Sequence, residues 1–198
     1  MAETGFHLDD VSGGEVPLFL QPAALCCQVH GTEIARVEKE GLYPSCDGLF
    51  TFTPGLTLMI RVADCTALAL WAGRKAAMVL HAGWRGAAKG ILQKGLAVFQ
   101  EEGIGPEEIS ARFFPSARSC CYEIKEDVFM HIPEAMQLFI EERSGKYYLN
   151  IPSFLENTLK ESGCRSVTTD SRCSICSPGF FSFRRDKTDK RNGAWIRL

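Results

Sequence analysis

Residues 56–103 read LTLMIRVADCTALALWAGRKAAMVLHAGWRGAAKGILQKGLAVFQEEG. Residues 56–62 form an apolar run of strand length. Residues 66–71 and 76–80 are two more such runs, and they flank the turn-forming Ala72-Gly73-Arg74-Lys75, which predicts a hairpin. Cys65 then falls where the first hairpin strand begins, and His81 where the second ends. After Gly86 the period becomes helical. Ile91, Leu92, Leu96, Val98 and Phe99 make an apolar face, Lys89, Gln93 and Lys94 lie elsewhere, and Gly103 ends the pattern.

The flanking sequence continues in the same mixture. Residues 25–29 are apolar and turn polar at His30-Gly31-Thr32, predicting a strand that ends at His30. Downstream, residues 111–114, 167–169, 180–183 and 194–196 read as short strands, and 126–132 and 153–162 as helices. Hairpins with interspersed helices, rather than a regular βαβ series, predict an α+β fold: a mixed β-sheet with flanking helices. There is no internal repeat, low-complexity tract or linker-like shift in composition. The expectation is one domain over residues 1–198, with the Gly- and Pro-punctuated residues 1–24 loosely held.

Composition narrows the function classes. The 198 residues are 45% hydrophobic, enough for one well-formed core, and 22 basic against 24 acidic residues give a formal charge of −2. That balance offers no basic footprint for nucleic acid or for an anionic membrane. No apolar run approaches the roughly 18 residues of a membrane span. The acidic N-terminus lacks the basic and apolar regions of a secretory signal. Nine cysteines, at 26, 27, 46, 65, 120, 121, 164, 173 and 176, are odd in number and irregularly spaced, unlike a disulfide framework. The economical expectation is a cytoplasmic protein, monomeric or weakly oligomeric.

His30, Cys65 and His81 are the first candidates for chemistry. Each falls at a predicted strand end close to Gly or Asp, where loops carry functional side chains on a rigid scaffold. Imidazole nitrogen and thiolate sulfur are favoured zinc ligands, and three protein ligands with an open fourth position are the pattern of a catalytic metal site. Copper accepts the same donors. Spacing alone does not single them out, because no tight pair such as C-x-x-C or H-E-x-x-H joins them, and a lone His or Cys at a strand end also packs into cores. Cys173-x-x-Cys176 has no partner CxxC and reads as structural, and Cys120-Cys121 reads as core.

Six segments then appear in order: QVHG (28–31), ADC (63–65), HAGWRG (81–86), PSARSCCYEI (115–124), YYLNIP (147–152) and FFSFRRD (180–186). Together they resemble the YfiH family, also described as laccase-domain or multicopper polyphenol oxidoreductase-like proteins, over roughly residues 25–198. The resemblance implies an α+β fold likened to cysteine hydrolases such as the deamidating toxins. It also implies a zinc site made by His30, Cys65 and His81. The implied reaction is phosphorolysis of purine nucleosides (adenosine, inosine, methylthioadenosine) to free base and ribose 1-phosphate, with an accompanying adenosine deaminase activity. Older labels of the family assign copper-dependent polyphenol oxidation.

Phosphorolysis asks for cationic groups that position phosphate against a developing oxocarbenium-like carbon. Arg85, four residues after His81, and Arg61, four before Cys65, are candidates, with Arg184 and Arg185 behind them. Deamination needs a general acid/base, for which Asp64 is the first candidate and Glu123 the second; either could instead orient a histidine ring. Trp84 offers an aromatic face for a purine or for packing. The family's section before QVHG is longer than the residues present here, and its late Gly-Arg reads Asp189-Lys190-Arg191, so metal ligation is expected to persist more readily than turnover. Three other functions compete: an amide or peptidoglycan-related hydrolase with Cys65 as nucleophile and His81 as base, a copper oxidase of phenols, and a non-catalytic metal-binding relative.

Overall fold

The computed structural model describes residues 2–198. In chain order the strands are β1 (Glu3–His7), β2 (Ala23–Cys26), β3 (Ile34–Arg36), β4 (Gly41–Tyr43), β5 (Gly48–Thr51), β6 (Thr57–Val62), β7 (Thr66–Ala72), β8 (Ala76–Ala82), β9 (Ser110–Phe113), β10 (Glu123–Ile124), β11 (Ile140–Arg143), β12 (Lys146–Leu149), β13 (Ser166–Thr169) and β14 (Asn192–Arg197). The helices are α1 (Trp84–Ala88), α2 (Ile91–Glu101), α3 (Glu126–Phe129), α4 (Glu134–Gln137), α5 (Ile151–Glu161) and α6 (Phe183–Asp186). The fold is α+β, as expected, but its strands divide among three sheets. Two are large and mixed, ordered β1-β14-β6-β2-β4 and β13-β9-β7-β8-β5-β3, and the small third is β10-β12-β11.

Alternation along the strands builds the layers. Leu58, Ile60 and Val62 of β6 face Ala67 and Ala69 of β7 and Ala77 and Val79 of β8, so the two large sheets close on a common apolar core. The opposite residues of the same hairpin, Leu68, Leu70, Met78 and Leu80, pack with Ile91, Leu92 and Phe99 of α2 and with Phe154, Leu155 and Leu159 of α5. The hairpin is therefore buried on both faces, which is why its sequence is nearly continuous in apolar residues. Its register runs from Thr66↔Ala82 to Ala72↔Ala76. His81 shares the parity of Ala77 and Val79, so its ring leaves the end of β8 on the face between the two sheets.

Several expectations needed correction. Residues 1–24 are not loose where they are described: β1 pairs with β14 along its whole length, and Val11 and Leu20 are buried with Met59 on the outer face of the five-stranded sheet. Met1 lies outside the described residues. The strand predicted to end at His30 stops at Cys26, because the amides of Val29, His30 and Gly31 are taken by a carboxylate, that of Asp47. The helical stretch after Gly86 is two helices, divided at Gly90 with φ 83. Only 126–129 of the predicted helix 126–132 forms α3. Residues 180–183 are not a strand: the Asn192 side chain bonds both the amide and the carbonyl of Phe181, and Ser182 caps α6 through the amide of Arg185. No described helix is long and apolar enough to cross a membrane.

Candidate metal centre

Two loops and the end of β8, at one end of the sandwich, bring His30, Cys65 and His81 together. Their ligand atoms all lie within 4.8 Å of one another, and the two imidazole rings meet edge-on with centroids 4.9 Å apart. The residue that organises them is Asp47, at the entrance to β5, which is fully buried. Its carboxylate accepts hydrogen bonds from the amides of Val29 (3.2 Å), His30 (2.9 Å) and Gly31 (2.7 Å), and it lies 2.7 Å from Nδ1 of His81. A carboxylate can only accept, so Nδ1 of His81 carries the hydrogen and Nε2 is left for a ligand. Asp47 thus fixes the QVHG loop and the His81 ring with one side chain.

Backbone geometry shows the same cross-bracing. His30 and Asp64 both occupy the left-handed region, with φ of 60 and 86, a conformation that persists at such residues only where surroundings enforce it. For Asp64 the enforcement comes from its carboxylate, which accepts from Ser174 Oγ (2.8 Å) and the Arg184 amide (2.6 Å), while its carbonyl accepts from the Ala117 amide (2.9 Å). Two glycines of HAGWRG are also required. A Cβ on Gly86 would lie 2.8 Å from the carbonyl oxygen of Gly31. A Cβ on Gly83 would lie 3.2 Å from the His30 ring and 3.3 Å from the Cys65 sulfur, filling the cradle between the ligands.

The electrostatics are those of a thiolate–imidazolium pair. Burial alone would raise the Cys65 thiol, but the His81 charge and hydrogen bonds from His30 and His81 outweigh it and bring Cys65 down to about 6. Burial works against a charged His81, but the Cys65 thiolate and the Asp47 hydrogen bond lift it to about 9. Alkylation of Cys65 by iodoacetamide in the metal-free protein, followed on its own peptide by mass spectrometry, is therefore expected to keep half its maximal rate near pH 6. An unperturbed thiol, with a pKa of about 8.5, is almost wholly protonated there. An inflection above about pH 8 would mean that the pair does not form.

A cleft of about 470 Å³ opens beside the three ligands and is lined by Ser12, Gln28, Arg61, Phe183, Asp189 and Arg191. On the other side of Cys65 lies a smaller cavity of about 100 Å³ bounded by Trp84, Tyr122, Ile151, Phe183 and Arg184. Of the expected arginines, Arg61 lines the cleft, held by the carbonyl of Ser12 at 2.8 Å. Arg184 lines the small cavity with its guanidinium over the Tyr122 ring. Arg85 is exposed and stacks on Trp84 at 4.3 Å. Arg185 is turned to Asp186 and to the carbonyls of Ile175 and Phe180, an arrangement that ties a loop. Glu123 pairs with Lys146 at 3.0 Å on the small sheet, and Asp64 spends both carboxylate oxygens on Ser174 and Arg184. Neither acid orients a histidine; Asp47 does that. The sequence reading missed Asp47, Ser12 and the placement of Arg191. An Asp before Gly at a strand start looks like ordinary turn chemistry, and nothing local marks it as the partner of a residue 34 positions away.

Two imidazoles and one thiol, braced by a buried carboxylate at the mouth of a cleft, define an α+β protein with a His–Cys–His centre suited to a borderline-soft metal. A family model described as multi-copper polyphenol oxidoreductase laccase matches residues 15–198, and the chain belongs to that family. It is 35% identical over 158 residues to a purine nucleoside phosphorylase of Aquifex aeolicus, covering 80% of this chain and 73% of that protein. Among solved structures it is similar to YlmD from Geobacillus stearothermophilus, with TM-score 0.83 and 30% identity over 90% of this chain and 74% of that one. It is equally similar in fold to a Bacillus licheniformis hypothetical protein, YfiH, with TM-score 0.83 and 26% identity over 90% and 75% of the two chains.

Proposed function

We propose that the protein is a zinc-dependent purine nucleoside phosphorylase acting on adenosine, inosine or methylthioadenosine, with adenosine deamination as a side activity. The observation that carries this reading is the convergence of His30, Cys65 and His81 beside a cleft with arginines on its wall. The similarity to the Aquifex protein, named a purine nucleoside phosphorylase, supports it. The donor set suits zinc, and the glycine at position 83 leaves the space between the ligands open. A zinc ion bound there supplies a fixed positive charge and Lewis acidity.

The chain's own residues supply binding and positioning. Arg61 and Arg191 offer positive charge to a phosphate in the larger cleft. In phosphorolysis a phosphate oxygen forms the bond to C1′ while the C1′–N9 bond breaks, its electron pair leaving with the base, which takes up a proton. Holding the two reactants in line contributes much of the rate. Phe183 and Trp84 give apolar faces near the ligands for the base. Asp64 acts as a positioning residue that holds the ADC loop to the C-terminal segment.

The test is metal analysis alongside a nucleoside assay on one preparation. Adenine and ribose 1-phosphate should appear only when phosphate is present, stop on chelation and return with zinc; ammonia release reads the deaminase activity. One observation favours a second reading. The thiolate–imidazolium pair with Asp47 behind it also suits a cysteine hydrolase. Amide hydrolysis that survives chelation but not alkylation of Cys65 would support that reading and overturn ours. Multicopper oxidation finds less support, because only His30 and His81 of the four histidines meet among the described residues. Bound zinc without turnover of any nucleoside would leave a non-catalytic relative.

A further inference from the structure

The cysteines that the sequence left without a role converge. Cys120 and Cys121 occupy the turn before β10, and Cys173 and Cys176 the turn after β13. Their four sulfurs lie within 4.8 Å of one another, although the two pairs are more than 50 residues apart in the chain. The turns are joined by backbone: Ser116 and Cys173 form a parallel bridge, and the Ser174 amide donates to the Ser116 carbonyl at 3.1 Å. The C-x-x-C turn is closed by the Ser177 amide on the Cys173 carbonyl at 2.9 Å. The adjacent pair is presented by the Cys121 amide on the Arg118 carbonyl, also at 2.9 Å.

We propose that Cys120, Cys121, Cys173 and Cys176 form a second metal site, a tetrathiolate for zinc or a similar soft divalent cation, separate from the His–Cys–His centre. The spacing favours a metal over a disulfide. Cys120 and Cys176 hold their sulfurs 3.9 Å apart. Zinc–sulfur bonds of about 2.3 Å in a tetrahedron put sulfurs roughly 3.8 Å apart, whereas a disulfide needs about 2.05 Å. Four thiolates close the coordination shell, so the site is structural rather than catalytic. Binding forms four metal–sulfur bonds and releases the protons of whichever thiols were not already ionised. Cys173 is buried while Cys120 and Cys176 are exposed, which leaves the ion open to chelators from one side.

The site would staple two loops that wall the catalytic region. Ala117 and Tyr122 flank one turn, and Phe183 and Arg184 follow the other; all four line the small cavity beside Cys65. Ser174, inside the C-x-x-C, holds Asp64. Arg185 binds the carbonyls of Ser174, Ile175 and Ser177, clamping the same turn from below.

Cobalt titration of the whole protein, reduced and stripped of metal, tests the proposal without any variant. Two equivalents should bind, and the intense sulfur-to-cobalt charge transfer of four thiolates should accompany one of them, well above the single-thiolate band expected of the His–Cys–His centre. The paired substitution His30→Ala and His81→Ala should remove the other equivalent and keep that absorption. Cys173→Ser with Cys176→Ser should do the reverse. Thiol counting gives an independent readout: four cysteines should become unreactive when the second equivalent binds. A single equivalent bound by the unmodified protein, lost with His30→Ala and His81→Ala, would overturn the proposal, as would a disulfide among these four in protein kept reduced. Phosphorolysis could fail entirely and the second equivalent would still be measurable.

Discussion

Replacing His81 by alanine is expected to lower kcat/KM for phosphate-dependent nucleoside cleavage by about a thousandfold or more. The loss follows from removing one of the three proposed ligands: a metal's charge stabilisation is worth several kcal/mol, and each 1.4 kcal/mol or so is a factor of ten in rate. His81 is the ligand whose ring is buried and fixed, 3% exposed and 2.7 Å from Asp47, so no neighbouring group can take its place without moving the end of β8. Metal analysis of the variant should show the His–Cys–His equivalent gone. Exposed His30, on its loop, should be the milder loss, because water or a mobile side chain can approach from its side. Unchanged turnover in His81→Ala would dispose of the proposed function. An inactive variant that kept its full metal content would move the defect from ligation to substrate binding.

Asp47→Ala is expected to destabilise the protein by about 3–5 kcal/mol, the cost of breaking a buried, hydrogen-bonded charge pair. Three amides, those of Val29, His30 and Gly31, lose their acceptor together with the His81 ring. The corresponding fall in melting temperature is on the order of 10 °C. Metal affinity should fall by about 10–100-fold, the usual effect of losing a group that orients a ligand histidine. Burial raises the Asp47 carboxyl, but the hydrogen bonds from His81 and the Gly31 amide prevail and hold it below its ordinary 3.8. A carboxyl lowered on folding contributes stability that is complete above the unfolded pKa and is lost as pH falls through the folded value. The gap between wild type and Asp47→Ala should therefore be fullest between about pH 5 and 6.5, close in acid as Asp47 takes up its proton, and narrow again as pH rises toward about 9, where His81 loses the charge that Asp47 helps to hold. Asp47→Asn, which keeps the shape, separates the effects: it can still accept from amides, but it gives Nδ1 of His81 no charged partner. A variant as stable as wild type, with undiminished metal affinity, would show that Asp47 organises nothing.

The order of the strands in residues 56–82, the α2 face and the α5 helix were readable because their signals are local. Apolar alternation, a Gly-containing turn and a 3.6-residue period depend on neighbours within a dozen positions. The metal triple was legible in a different way: chemistry nominated His30, Cys65 and His81, and the words QVHG, ADC and HAGWRG tied them together. Errors arose where side chains replaced backbone as hydrogen-bond partners. Asp47 ends β2 early by taking amides from the next loop, and Asn192 keeps residues 180–183 out of a sheet. Neither event leaves a pattern in the affected segment, since the deciding group lies 11 to 18 residues away or more.

Composition, periodicity and motif together thus determined the α+β class and the central hairpin, and nominated the three side chains that the fold brings together. Packing decided which acids and arginines serve them. Asp47 rather than Asp64 orients His81, Arg61 and Arg191 rather than Arg85 line the cleft, and two unpromising cysteine pairs become one cluster. The reason is common to all three. A charged or sulfur-bearing side chain has the same local appearance whether it faces solvent, a carbonyl or a metal, and its role is fixed only by the groups that folding brings within about 4 Å of it. Strand and helix formation reads from the chain; the company a side chain keeps does not.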